Sequence, residues 1–186
     1  RDQKKYLREL EETYRTEDII TTGTLDRLVR YRQICLDPTL IGLDGKSPKT
    51  EWILQYLKDY PDEQIIIFSK FTSYLIKLSE QLETSWALLV GSTPTKQRGQ
   101  FIKDFQAGKF KGFLINIDAG KEALTLDAAE TTIFTDKFPP IGSIEQAEDR
   151  FIASTEEKAH KAHKIIELMI ADTFDLAKIE KAAEVS

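Results

Sequence analysis

The sequence predicts a three-layer α/β protein, a parallel sheet with helices on both faces, and three observations carry that expectation. Short continuous apolar runs such as "QIIIFS" have the composition of strands buried on both sides, where a half-exposed strand would alternate apolar with polar residues. Stretches with helical spacing separate these runs, about five times over, as in parallel strands joined by crossover helices. The 186 residues are 41% apolar and 31% charged, a balance that suits one good-sized soluble core.

Taken in order, the first forty or so residues read as a helical extension over 1–45. "KKYLRELEETY" places Tyr6, Leu7, Leu10 and Tyr14 at helical spacing, and "TLDRLVRYRQICL" does the same with Leu25, Leu28, Val29 and Cys35 or Leu36. The Gly-, Pro- and Asp-rich "DPTLIGLDGKSP" breaks the pattern before the lobe expected over 46–186. "KTEWILQYLKDY" then reads as an amphipathic helix, "QIIIFS" as a strand, and "FTSYLIKLSEQL" as a helix with Phe71, Leu75, Leu78 and Leu82 on one face. "WALLV" is the next strand. In "GSTPTKQRGQFIKDFQAG", Thr93 is expected as N-cap, Pro94 at the first helical position, Phe101, Ile102 and Phe105 inward, and Gly108 as the stop. The strands "GFLINI", "TTIFTD" and "KIIELMI" follow, with turns, a helix over "SIEQAEDRF" and a closing helix "DLAKIEKAAE" between and after them.

Composition excludes several classes. The single cysteine, Cys35, rules out an internal disulfide and suits a reducing compartment as a buried thiol. No apolar run approaches the roughly 18 residues of a membrane span, and nothing reads as a signal peptide, so a cytoplasmic location without a membrane partner is expected. The chain opens at Arg1 inside a charged helical stretch, which suggests a fragment of a larger protein. With a net charge of −5, nucleic acid would have to be held by a local patch.

"DGKS" fails as a phosphate-binding loop: Leu40 stands where the motif needs its first glycine, and Pro48 follows the Lys-Ser pair. It is expected to be a surface turn. His160 and His163 have the spacing of two ligands on one helix face but no third or fourth ligand nearby, so solvated residues are expected and no metal site. In a parallel α/β fold, ligands sit at the carboxyl ends of the strands. That directs attention to residues 69–71, 91–93, 117–126 and 136–143. Further on, Ser143 and Gln146 form an S-x-x-Q capping box, and Arg150, one turn later, could pair with Glu145, Gln146 or Asp149 as a surface residue.

Read together, the segments resemble the second, C-terminal RecA-like lobe of the Swi/Snf-type ATPases in helicase superfamily two. "LVRYRQICLDPTLI" looks like the family's Leu-Arg-Gln-Ile-Cys-x-x-Pro entry helix, and "SPKTEWILQYL" like the segment after it. "IIIFSKFTSYL" is similar to motif four, "LVGSTPTKQRGQFIKDFQAG" to the Gly-Ser-Thr turn and its arginine-bearing helix, "FLINIDAGKEALTLDAAETTIFTD" to motif five, and "EQAEDRF" to motif six. The resemblance spans residues from about 25 to 180 with the motifs in family order. Two departures stand out. Lys121, Glu122, Ala123 and Thr125 lie where motif five usually carries two further glycines and an asparagine. Ile152–Ala153 stand where motif six usually continues His-Arg, so its second arginine is missing. Both point to a divergent branch of bacterial or phage type.

The resemblance implies an ATP-dependent translocase of double-stranded DNA, with ATP and magnesium held mainly by an N-terminal RecA-like lobe of the same polypeptide. It implies Arg150 as an arginine finger, Gln146 near the nucleotide or its attacking water, Asp149 as their orienting acid, and Gly120 and Glu122 near the cofactor. Ser69, Lys70, Ser92, Thr93, Arg98, Gly120, Lys121 and Thr125 are implied as contacts to the nucleic-acid backbone. Two other classes stay open: a binding or interaction module that has lost ATPase coupling, and an unrelated α/β enzyme of small molecules, for which no complete cofactor loop or catalytic pair is present.

Overall fold

The computed structural model describes residues 24–82, 85–119, 128–136 and 163–170, with side chains from residue 29 onward. Leu57–Leu168 form one compact unit, and the described residues up to Tyr56 belong to a second.

In the second unit, helix α1 spans Thr24–Leu36 and buries Ile34, Cys35 and Leu36 at its end. Asp37 then caps a 3-10 turn, Pro38–Ile41, by accepting the Thr39 N–H at 3.0 Å. Helix α2, Pro48–Asp59, starts at "DGKS". Asp44, Gly45 and Lys46 are exposed, as expected of a turn, but Ser47 is buried. Its hydroxyl donates to Leu36 O at 2.6 Å and accepts the Thr50 N–H at 3.0 Å. Ser47 is thus the helix N-cap, with Pro48 at the position where a missing N–H does no harm.

The larger unit carries five parallel strands: β1 Ile65–Ser69, β2 Trp86–Leu89, β3 Gly112–Asn116, β4 Thr131–Phe134 and β5 Lys164–Glu167, in the order β2-β3-β1-β4-β5. Every residue of β1, β3 and β4 is buried, which explains their unbroken apolar runs: neither face of these central strands meets water. Helix α3, Thr72–Ser79, follows β1, packs on β1, β2 and β3, and buries Tyr74, Leu75 and Leu78. Helix α4, Thr95–Gln106, follows β2. Its Phe105, with Phe101 and Ile102 beside it, joins Ile66, Phe68, Ala87, Leu89, Phe113, Ile115 and Phe134 in one core. Full burial of a Phe or Ile side chain contributes about 1.5–3 kcal/mol each, so this cluster is the main stabilising element of the unit.

Helix α4 begins one residue later than its sequence suggests. Pro94 is the capping residue and supplies no side-chain bond, while Thr93 Oγ1 accepts the Val90 N–H at 3.0 Å. The threonine therefore closes the exit from β2, and its oxygen is not available to the helix. At the other end Gly108, at φ 72°, is the stop. Its N–H reaches Phe105 O at 2.9 Å and the Lys109 N–H reaches Asp104 O at 2.9 Å, the two bonds of a Schellman cap. Lys109 and Gln100 also hydrogen-bond the Asp104 carboxylate and hold it below the usual carboxylate range.

His163 departs from the solvated role expected of it. Its Nδ1 lies 3.1 Å from Ala129 O and its Nε2 2.9 Å from Thr132 Oγ1, tying the start of β5 to β4. A carbonyl only accepts, so Nδ1 carries a proton. His160 lies outside the described residues. Among the described residues no group of three or more His, Cys, Asp or Glu could hold a metal ion, and no helix is long and apolar enough to cross a membrane.

Candidate nucleic-acid interface

The chain leaves β1 toward β2 on one side and leaves β4 toward β5 on the other. The boundary between the carboxyl ends of β1 and β4 is therefore the switch point, where parallel α/β sheets open a crevice. The structure places Asp136 there, just beyond β4. The side chain is 4% exposed and accepts from three directions: Ser69 Oγ at 2.6 Å, the Lys70 N–H at 3.1 Å, and Thr135 Oγ1 at 2.6 Å. Ser69 is fully buried, and its hydroxyl oxygen also accepts the Phe71 N–H at 3.2 Å. A buried carboxylate needs such donors, and here they fix the turn after β1 in one conformation.

Asn116 performs the equivalent task one strand over. Its Nδ2 donates to Lys70 O at 2.9 Å and to Thr72 Oγ1 at 3.1 Å, and its Oδ1 accepts the Asp118 N–H at 3.0 Å. Lys70 is thus held at its N–H by Asp136 and at its carbonyl by Asn116. Its ammonium is half-exposed and pairs with the Asp118 carboxylate.

The third part of the rim is the loop after β2. Ser92 is exposed and Thr93 half-buried. Arg98, on the first turn of α4, turns back over this loop: Nε donates to Thr93 O at 2.8 Å and Nη2 to Gly91 O at 3.1 Å, while Nη1 reaches Ala119 O at 3.4 Å. One guanidinium thereby links the exits of β2 and β3.

Of the residues expected at a site, the structure brings Ser69, Lys70, Ser92, Thr93 and Arg98 to one rim at the carboxyl ends of the strands. Gly120, Lys121, Glu122, Thr125, Gln146, Asp149 and Arg150 lie outside the described residues. Sequence reasoning missed Asn116, Asp118 and Asp136 as individuals. Asp118 and Asp136 lie in the strand-end segments singled out from the sequence, and an acid directly after a buried strand is the signal that could have found Asp136.

Residues 48–152, more than half of the chain, match the model of the helicase conserved C-terminal domain. The chain belongs to that family. A relative to this helicase C-terminal domain is the ATP-dependent helicase fft1 of Schizosaccharomyces pombe, 39% identical over 119 residues. The match covers 59% of this chain and 12% of that protein, so the domain corresponds to a small part of its relative's length. The fold is that of the C-terminal lobe of Swi2/Snf2 ATPases. The Sulfolobus solfataricus SWI2/SNF2 ATPase C-terminal domain superposes with a TM-score of 0.71 at 20% identity, covering 98% of this chain and 80% of that one. The ATPase core of the same organism's protein in complex with double-stranded DNA gives a TM-score of 0.74 at 18% identity, over 99% of this chain and 41% of that one.

Proposed function

We propose that this helicase C-terminal domain is the second lobe of an ATP-driven translocase of double-stranded DNA, which contacts the duplex along its phosphates and lends an arginine to an ATP site between lobes. The observation that carries the first half is the pre-organised rim: Lys70, Ser92 and Thr93 at the carboxyl ends of β1 and β2, with the backbone fixed by Asp136, Asn116 and Arg98. Ser69, expected as a phosphate contact, is fully buried and braces the turn through Asp136 instead. Short hydroxyl side chains and a lysine suit phosphate oxygens, which position a duplex without reading its sequence. Lys121 and Thr125 are assigned to the same role by the motif-five resemblance alone, and the S. solfataricus relative seen with double-stranded DNA supports the choice of duplex.

The described residues do not fit a magnesium–nucleotide cradle. The Ser47 hydroxyl of "DGKS" is engaged by Leu36 O and the Thr50 N–H, and among the described residues no acidic cluster could hold a metal. The family resemblance, rather than this absence, assigns ATP and magnesium mainly to an N-terminal RecA-like lobe of the same polypeptide, and on that reading this lobe alone should not turn ATP over. By the resemblance to motifs five and six, its own contribution is Arg150, with Gln146 four residues earlier in the sequence, Asp149 as their orienting acid, and Gly120 and Glu122 assigned to the cofactor. Positive charge placed where charge moves in phosphoryl transfer supplies much of the rate in such sites.

The test is Arg150→Ala in the full-length protein. DNA-stimulated turnover should fall by about 10³-fold or more while duplex affinity changes little. The alternative, a DNA-binding or interaction module without ATPase coupling, is favoured by the missing second arginine beside Ile152–Ala153 and the missing glycines at Lys121–Ala123. Under it, the full-length protein shows no DNA-stimulated turnover for the substitution to remove.

A further inference from the structure

Lys70 is the cation that the end of β1 offers to a phosphate, yet it already has an anion. Pairing of Ser69 with Asn116 sets the ends of β1 and β3 side by side, and Lys70 and Asp118 sit just beyond that pair. Their backbones are fixed independently of their charges, Lys70 by Asp136 and Asn116, Asp118 by Asn116. The side chains then meet as an ion pair while remaining 36% and 45% exposed, open to an incoming ligand. A carboxylate and a phosphate oxygen accept from the same ammonium protons, so the two compete for one site.

We propose that Asp118 sets the affinity of this rim for nucleic-acid phosphates by holding Lys70 in an ion pair that a phosphate must displace. The inference rests on the duplex-binding function proposed above and adds a residue that opposes it. An exposed ion pair is weak, so the competition is modest: releasing Lys70 strengthens duplex binding about two- to fivefold at low salt. The released contact also steepens the log–log salt dependence by up to about 0.9, the share of one phosphate.

A double-mutant cycle tests it, using fluorescence anisotropy of a labelled mixed-sequence duplex titrated with the full chain carrying Asp118→Asn, Lys70→Gln, or both. Removing any negative charge from the rim could help binding through the general field, and the cycle separates that effect from action through Lys70. Asp118→Asn should tighten binding two- to fivefold in the native background and leave it unchanged when Lys70 is already glutamine. The same gain in both backgrounds, or no gain with Lys70 present, overturns the inference while leaving the duplex function standing. If no version of the chain binds duplex at all, the proposed function falls and the inference falls with it.

Discussion

Arg98 shows how one side chain can carry two incompatible roles. An arginine on a helix beside a Gly-Ser-Thr turn suggests a phosphate contact, but its guanidinium lies against the carbonyls of Gly91, Thr93 and Ala119. Only a planar fork with several fixed N–H groups can span such targets; a lysine keeps the charge but places its protons at a single point. Arg98→Lys therefore distinguishes the roles. If Arg98 ties the loops, the lysine variant should lose about 1–2 kcal/mol in urea unfolding and weaken duplex binding nearly as much as Arg98→Ala. A lysine variant that keeps native stability and affinity would show that charge alone matters there. The sequence could not reveal the clamp, because the groups it grips are backbone carbonyls and carry no side-chain signature. The same holds for Ser69, whose partner Asp136 is distant in sequence and is brought near only by the pairing of β1 with β4.

Secondary-structure elements were far more legible than these contacts. All five strands are visible in the sequence, β1, β3 and β4 because central parallel strands bury both faces, and the edge strands β2 and β5, only partly buried, by their apolar and β-branched residues. Gly108 is visible as a stop because its left-handed conformation favours glycine. What the sequence left hidden was the role of Gly112. In the β2–β3 register it pairs with Trp86, and a Cβ built on Gly112 would lie 2.2 Å from the indole ring. The indole covers the glycine and fills the place where a side chain would stand. Gly112→Ala should therefore displace the ring and destabilise the protein by about 1–3 kcal/mol, the usual range for overpacking. Tryptophan fluorescence in a Trp52→Phe background reads Trp86 directly, and the comparison is Gly99→Ala on α4, where a Cβ meets nothing within 4 Å. An equal effect of the two substitutions would remove the indole from the account.

At the scale of the whole molecule, the parallel order β2-β3-β1-β4-β5 puts the described functional groups at one end of one sheet. On the proposed reading that end is the surface for a polyanion, and among the described residues no group of three or more His, Cys, Asp or Glu could hold a metal ion. The net charge of −5 offers no long-range attraction, and at the described rim Lys70 is matched by Asp118 while Arg98 is engaged by carbonyls. On the proposed function, duplex binding by the chain alone should involve only a few phosphates, and anisotropy titrations across salt concentrations should give a log–log slope no steeper than about −3. Under the role proposed for Arg150, catalysis should be limited more severely, since an arginine finger stabilises a transition state only where another surface holds the phosphates and metal. The 186-residue chain should show no ATP hydrolysis above background, with or without duplex DNA, in a phosphate-release assay. Turnover that survives repurification, and that is lost on Arg150→Ala, would mean that this lobe completes a nucleotide site by itself, against the assignment of that site to two lobes.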